Sequence, residues 1–159
     1  MKAVEVISNS AQETRELGTR LGRVLKAGDV LALSGPLGSG KTVFVQGLAA
    51  GLGTDRGVLV TSPSFVILHE YPGPAPLYHF DFYRLRKERE VRELGYKEYF
   101  DGEGVCAVEW ADKFEGLFGE DAIWVAFLTE NENIRRIKFR PGPGIIKGRW
   151  SEIVNAIES

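Results

Sequence analysis

One cysteine in 159 residues leaves Cys106 without an intrachain partner, so no internal disulfide holds this chain together. A lone thiol suits a reducing cytoplasm. Long apolar runs are missing as well. No segment approaches the roughly 20 residues of a membrane-spanning helix, and the opening Met1-Lys2-Ala3-Val4-Glu5 lacks a signal-peptide pattern. Nor is there an excess of either charge: 20 Lys and Arg against 22 Asp and Glu leave a net charge of −2. That balance argues against a free-standing nucleic-acid binder, so any RNA would find most of its phosphate contacts on a partner. Repeats, linkers and low-complexity tracts are absent. The expectation is a small cytoplasmic protein without membrane contact, its residues 1–159 forming one domain whose 43% hydrophobic content supplies the core.

Glycine, by contrast, is plentiful at 19 residues, and its placement is informative. Gly35-Pro36-Leu37-Gly38-Ser39-Gly40-Lys41-Thr42 fits G-x-x-x-x-G-K-[ST], the phosphate-binding loop of nucleoside triphosphatases. Glycines let the backbone curl so that successive N–H groups face phosphate oxygens. The lysine reaches the β- and γ-phosphates, the threonine hydroxyl suits Mg²⁺, and the next helix adds its positive end. The context agrees. Asp29-Val30-Leu31-Ala32-Leu33-Ser34 reads as a strand, and Phe44, Val45, Leu48, Ala49 and Leu52 recur at helical spacing behind the loop. The expected nucleotide-binding set is Gly35, Pro36, Leu37, Gly38, Ser39, Gly40, Lys41, Thr42 and Val43.

Elsewhere, residues 2–7 read as a strand. Ser10-Ala11-Gln12-Glu13 is a capping-box sequence that opens a helix with Leu17, Leu21 and Val24 on one face. Residues 57–61 are strand-like. Residues 65–70 and 77–82 suggest a strand pair around a Pro/Gly-rich turn at 71–76. Residues 84–94 and 111–118 read as helices, 104–109 as a buried strand, 122–128 and 134–140 as a hairpin, and 150–157 as a terminal helix. Crossover helices together with hairpins predict an α/β protein: a P-loop-NTPase-like three-layer fold with a mixed parallel and antiparallel central sheet.

Hydrolysis needs an acid besides the loop. Val105-Cys106-Ala107-Val108-Glu109 describes a central strand whose carboxylate emerges at the C-terminal edge, where open α/β sheets bind ligands. There Glu109 can hold Mg²⁺ directly or through water, or polarise the attacking water. Asp81 is the second candidate, on the same strand face as His79, with Tyr78, Phe80 and Phe82 on the other. By spacing alone Asp81 is as readily structural as catalytic, and His79 and His69 read as structural. Thr61-Ser62-Pro63-Ser64 fits either a plain turn or a switch that senses a γ-phosphate. Arg84, Arg86, Arg89 and Arg92 alternate with acids, as on a solvated helix face; an arginine finger is the alternative, and spacing does not single one out. Trp110 reads as packing at its strand end, with stacking near the nucleotide as the minority alternative.

These segments together resemble the TsaE (YjeE) family of small bacterial ATPases in tRNA threonylcarbamoyladenosine synthesis. The likeness runs in order over most of the chain: Ser10-Ala11-Gln12-Glu13-Thr14, Gly28-Asp29-Val30, the phosphate loop, Ser62-Pro63-Ser64-Phe65, Tyr78-His79-Phe80-Asp81-Phe82-Tyr83-Arg84-Leu85, Leu94-Gly95-Tyr96 and Val108-Glu109-Trp110. Pro36 and Ser39 depart from the residues commoner in the family, at positions where no particular side chain is required. The resemblance implies ATP rather than GTP and makes Glu109 the acid of the Mg²⁺ site beside Thr42. It also brings Asp81 into the nucleotide or metal site with Lys41, makes residues 61–64 a γ-phosphate-responsive loop, and places the first helix near the adenine. It further implies an accessory ATPase, slow alone, that docks on the TsaB–TsaD pair and meets tRNA only through that complex. The C-terminal third adds no functional residue to the resemblance. The rival reading is a small-molecule kinase, for which the sequence offers no convergent set of arginines; a GTPase would need an N-K-x-D motif, which is absent.

Overall fold

The computed structural model describes residues 1–54, 60–61 and 67–159. Among them, seven strands form one sheet, in the order β1 (Val4–Ser8), β7 (Arg135–Pro141), β6 (Ile123–Thr129), β2 (Val30–Ser34), β5 (Val105–Glu109), β4 (Leu77–Asp81) and β3 (Leu68–Tyr71). The four central strands β6, β2, β5 and β4 run parallel, and β1, β7 and β3 pair antiparallel at the flanks. The predicted mixed sheet is therefore present.

The near-continuous apolar run of β2 and β5 reflects cover on both faces. Leu31, Leu33, Val105 and Ala107 face a core built with α1 (Ala11–Gly22), α2 (Lys41–Leu52) and α5 (Lys147–Glu158). Val30, Ala32, Cys106 and Val108 face the opposite core, with α3 (Glu88–Glu93), α4 (Tyr96–Phe100) and a 3₁₀ segment, Ala111–Leu117. These are the three layers. No helix among the described residues is long and apolar enough to cross a membrane.

Helices α1 and α2 touch backbone to backbone. A Cβ on Gly18 would lie 2.3 Å from the Phe44 carbonyl oxygen, and one on Gly47 would lie 2.1 Å from that of Arg15. Gly22 and Gly51 repeat the close approach one turn on. Any larger side chain on these faces would separate the helices. The Ser10 hydroxyl caps α1 by accepting the Glu13 N–H at 3.1 Å, and the Glu13 carboxylate reaches back to the Asn9 N–H at 2.7 Å. The start of α1 is thereby fixed beside the start of α2.

Three expectations change. The helix predicted over residues 84–94 exists only as Glu88–Glu93, because Phe82 and Leu85 are drawn into the core and the chain turns between them. In place of the helix expected over 111–118, Ala111–Leu117 form a 3₁₀ segment interrupted at Phe114, whose ring packs 6.1 Å from Phe82. Glycine at 95, with φ 72°, opens a helix, α4, that the sequence pattern did not reveal. Residues 57–59 of the strand expected at 57–61 and the start of the one expected at 65–70 lie outside the described residues, and Val60 and Thr61 carry no strand.

Candidate functional site

Strand register brings the site together. Glu109 on β5 is level with Leu33 on β2 and with Asp81 on β4, so three parallel strands finish side by side. The phosphate loop springs from the end of β2 at the same edge. Gly35, at φ 141°, turns the chain off the strand where a Cβ would meet the Phe127 carbonyl oxygen at 2.7 Å. Gly40, at φ 101°, delivers it into α2 in a left-handed conformation that glycine tolerates best. A cavity of about 560 Å³ opens above, walled by the loop, Asp81, Glu109, Trp110 and the first turn of α1.

Inside it, Lys41 is buried, its ammonium donating to the Gly35 carbonyl and lying 3.8 Å from the centre of the Trp110 ring. Burial pushes the Lys41 ammonium below its ordinary value, while the carboxylates of Glu109, Asp81 and Asp112 pull it back up. The Thr42 hydroxyl stands 3.2 and 3.4 Å from the two oxygens of Glu109. His79, fully buried, places Nε2 at 2.6 Å from Glu109 Oε2. A carboxylate only accepts, so Nε2 carries the proton in this contact. Asp81 is buried and accepts the Tyr83 N–H at 2.8 Å.

The site suits a phosphorylated ligand with a hard cation. The Ser39 hydroxyl, buried in the cavity wall, has no hydrogen-bond partner among the described residues. Thr42 and Glu109 offer two oxygen donors on one side, and no cage of three or more metal-ligating side chains gathers among the described residues. Mg²⁺ is commonly held by one or two protein oxygens, substrate phosphates and water, which is what this donor set can provide.

The profile of the family described as threonylcarbamoyl adenosine biosynthesis protein TsaE matches residues 8–137. The chain belongs to the TsaE family. It is 41% identical over 140 residues to the tRNA threonylcarbamoyladenosine biosynthesis protein TsaE of Bacillus subtilis, covering 87% of this chain and 86% of that one. To the protein of the same description from Treponema pallidum it is 39% identical over 131 residues, with 82% and 96% covered. The crystal structure of YdiB from Bacillus subtilis superposes with a TM-score of 0.79 at 32% identity, covering 99% of this chain and 95% of that one.

In this TsaE family member Leu37, Gly38, Ser39, Gly40, Lys41, Thr42 and Val43 of the expected loop set line one cavity with Asp81 and Glu109, while Gly35 and Pro36 lie outside its lining. Leu37 at the loop's tip is 69% exposed, and Pro36 beside it is exposed too. Three residues have more to do at the site than the sequence reading gave them. His79 reads as an ordinary structural residue, yet its face is covered by α2 and its ring is locked to Glu109. Trp110 does pack at its strand end, against Tyr83 at 5.0 Å, but it also covers Lys41 and adopts a left-handed backbone at φ 61°. Arg135, with Glu132 and Asn133, brings the C-terminal third, from which no functional residue was expected, into the cavity wall. Alternation along β4 already put His79 on Asp81's face and could have flagged it. No local signal pointed to Arg135, whose two partners in the phosphate loop lie 96 and 97 residues away. Of residues 61–64 only Thr61 is described, its N–H directed at the Tyr71 hydroxyl at 3.4 Å.

Proposed function

We propose that this chain is the accessory ATPase of tRNA threonylcarbamoyladenosine formation, acting in the cytoplasm. It would bind Mg-ATP at the phosphate loop and hydrolyse it to support turnover of the TsaB–TsaD pair, meeting tRNA only through that complex. The observation that carries this reading is the shared edge of β2, β5 and β4, which sets the loop lysine, the Thr42 hydroxyl and two carboxylates around one cavity. Family membership supplies the pathway.

The chemistry assigned to each group follows from its position. Water attacks the γ-phosphorus, the bond to the β–γ bridging oxygen breaks, and ADP and phosphate leave. Loop N–H groups and Lys41 hold the phosphates, the lysine exchanging its Gly35 carbonyl for phosphate oxygens. That exchange gives a buried ammonium the counter-charge it has only partly from Glu109 and Asp81. Thr42 and Glu109 would hold Mg²⁺, which when bound neutralises charge on the phosphate oxygens. Glu109, steadied by His79, is placed to orient the water and receive its proton. Asp81 adds negative charge at the same edge. Among the described residues the cavity wall carries Arg84 and Arg135, and Arg135 is committed to backbone carbonyls, so these residues lend no support to the convergent arginines of a small-molecule kinase.

The test is ATP hydrolysis by the purified protein, alone and with its cognate TsaB–TsaD pair. The expected result is slow turnover alone, a strong rise with the pair, and repeated rounds of tRNA modification. Phosphate transfer to a small-molecule acceptor, with no response to the pair, would replace this reading with the kinase.

A further inference from the structure

Arg135 opens β7 opposite Thr129 on one side and Ser8 on the other, at the sheet edge that carries the phosphate loop. Its guanidinium is engaged almost wholly with main-chain carbonyls. Nε donates to the Ser39 oxygen at 3.0 Å and Nη2 to that of Gly38 at 3.1 Å, two consecutive residues of the loop. Nη1 donates to the Asn131 oxygen at 2.7 Å, in the β6–β7 turn. That turn is itself fixed, since the Asn131 side chain accepts the N–H groups of Asn133 and Ile134, each at 2.9 Å.

A loop that turns its N–H groups inward toward an anion turns carbonyls outward, and those acceptors need donors of their own. We propose that Arg135 is a positioning residue of the nucleotide site. By gripping the Gly38 and Ser39 carbonyls it holds the loop in its anion-binding shape before any ligand arrives, and it anchors that shape to the β6–β7 turn. As a statement about ligand affinity, the proposal rests on the nucleotide reading above; as a statement about the empty loop, it does not. The arginine fork is what the geometry requires. Parallel donors at Nε and Nη2 meet two successive carbonyls, whereas a lysine ammonium is a point donor that brings the same charge without the fork.

The experiment uses the full-length protein with Arg135→Lys and Arg135→Ala variants. Amide hydrogen exchange across residues 38–42 is followed without nucleotide, and the affinity for adenylyl imidodiphosphate with Mg²⁺ is measured by calorimetry. Both variants are expected to speed exchange in the loop by about tenfold or more while the central strands stay protected. Both are also expected to weaken analogue binding by about tenfold, the loss of two charge-assisted hydrogen bonds. Lysine that restores slow exchange and full affinity would reduce Arg135 to a point charge and overturn the proposal. If alanine fails to fold, the lysine variant decides alone, since it keeps the stem and the charge. Wild-type protein that binds no analogue would overturn the nucleotide reading, while loop exchange would still decide whether Arg135 braces the loop.

Discussion

His79 Nε2 lies 2.6 Å from Glu109 Oε2, and both side chains are buried at the end of the central sheet. The contact fixes one carboxylate oxygen from behind while the Thr42 hydroxyl approaches from the loop. A carboxylate held in this way keeps its orientation without a ligand to arrange it, which is how outer residues set the geometry of a metal- or water-binding acid.

Glu109→Gln keeps the shape and removes the charge. ATP binding should survive, while hydrolysis with the TsaB–TsaD pair should fall by at least about tenfold. Asp81→Asn is the companion measurement, expected to lower turnover at saturating ATP without shifting the melting temperature. A glutamine variant with wild-type turnover, beside a slow asparagine variant, would move the acid's role to Asp81. An Asp81→Asn protein that only melts earlier would leave Asp81 as the structural partner of the Tyr83 N–H.

Lys41→Ala removes the ammonium that sits between the Gly35 carbonyl and the Trp110 ring. Productive ATP binding should be lost, by about a hundredfold or more in Kd, since a charge-assisted contact in a water-poor site is among the stronger ones. Equilibrium titration with a fluorescent ATP analogue reads this directly. Unchanged affinity would remove the phosphates from this loop.

Gly47→Ala tests the helix contact. In an exposed helix this change would gain about 1 kcal/mol of propensity. Here the new Cβ would lie 2.1 Å from the Arg15 carbonyl oxygen, a backbone atom that cannot rotate away. Overpacking of this kind costs about 1–3 kcal/mol and sometimes more, so the clash should win. The melting temperature should fall by several degrees. A rise would mean that α1 and α2 separate easily.

Cys106 is buried, and burial alone pushes its thiol up to about 12. The native protein should therefore resist iodoacetamide at pH 8 and react fully in denaturant. The sign of the pH effect follows. A thiol with a raised folded value contributes stability that is fully present below the unfolded value of 9.0 and is lost as pH rises from there through about 12. Thermal melts of Cys106→Ala should show a shallower alkaline decline than wild type. Rapid native labelling would contradict the burial.

By itself the sequence determined whatever depends on neighbours along the chain. The loop from Gly35 to Thr42 needs its residues at fixed spacing, so it was legible without coordinates. So were the apolar runs of β2 and β5, the Ser10 cap and the β6–β7 hairpin, because periodicity and capping are local. Alternation also put His79 and Asp81 on one face, but not which layer would cover that face. Tertiary structure decided the rest. Parallel register set Asp81 level with Glu109, α2 buried His79 against that carboxylate, and β7 carried Arg135 to two carbonyls nearly a hundred residues away. Burial and long-range pairing are properties of the assembled sheet, and no spacing within one segment encodes them.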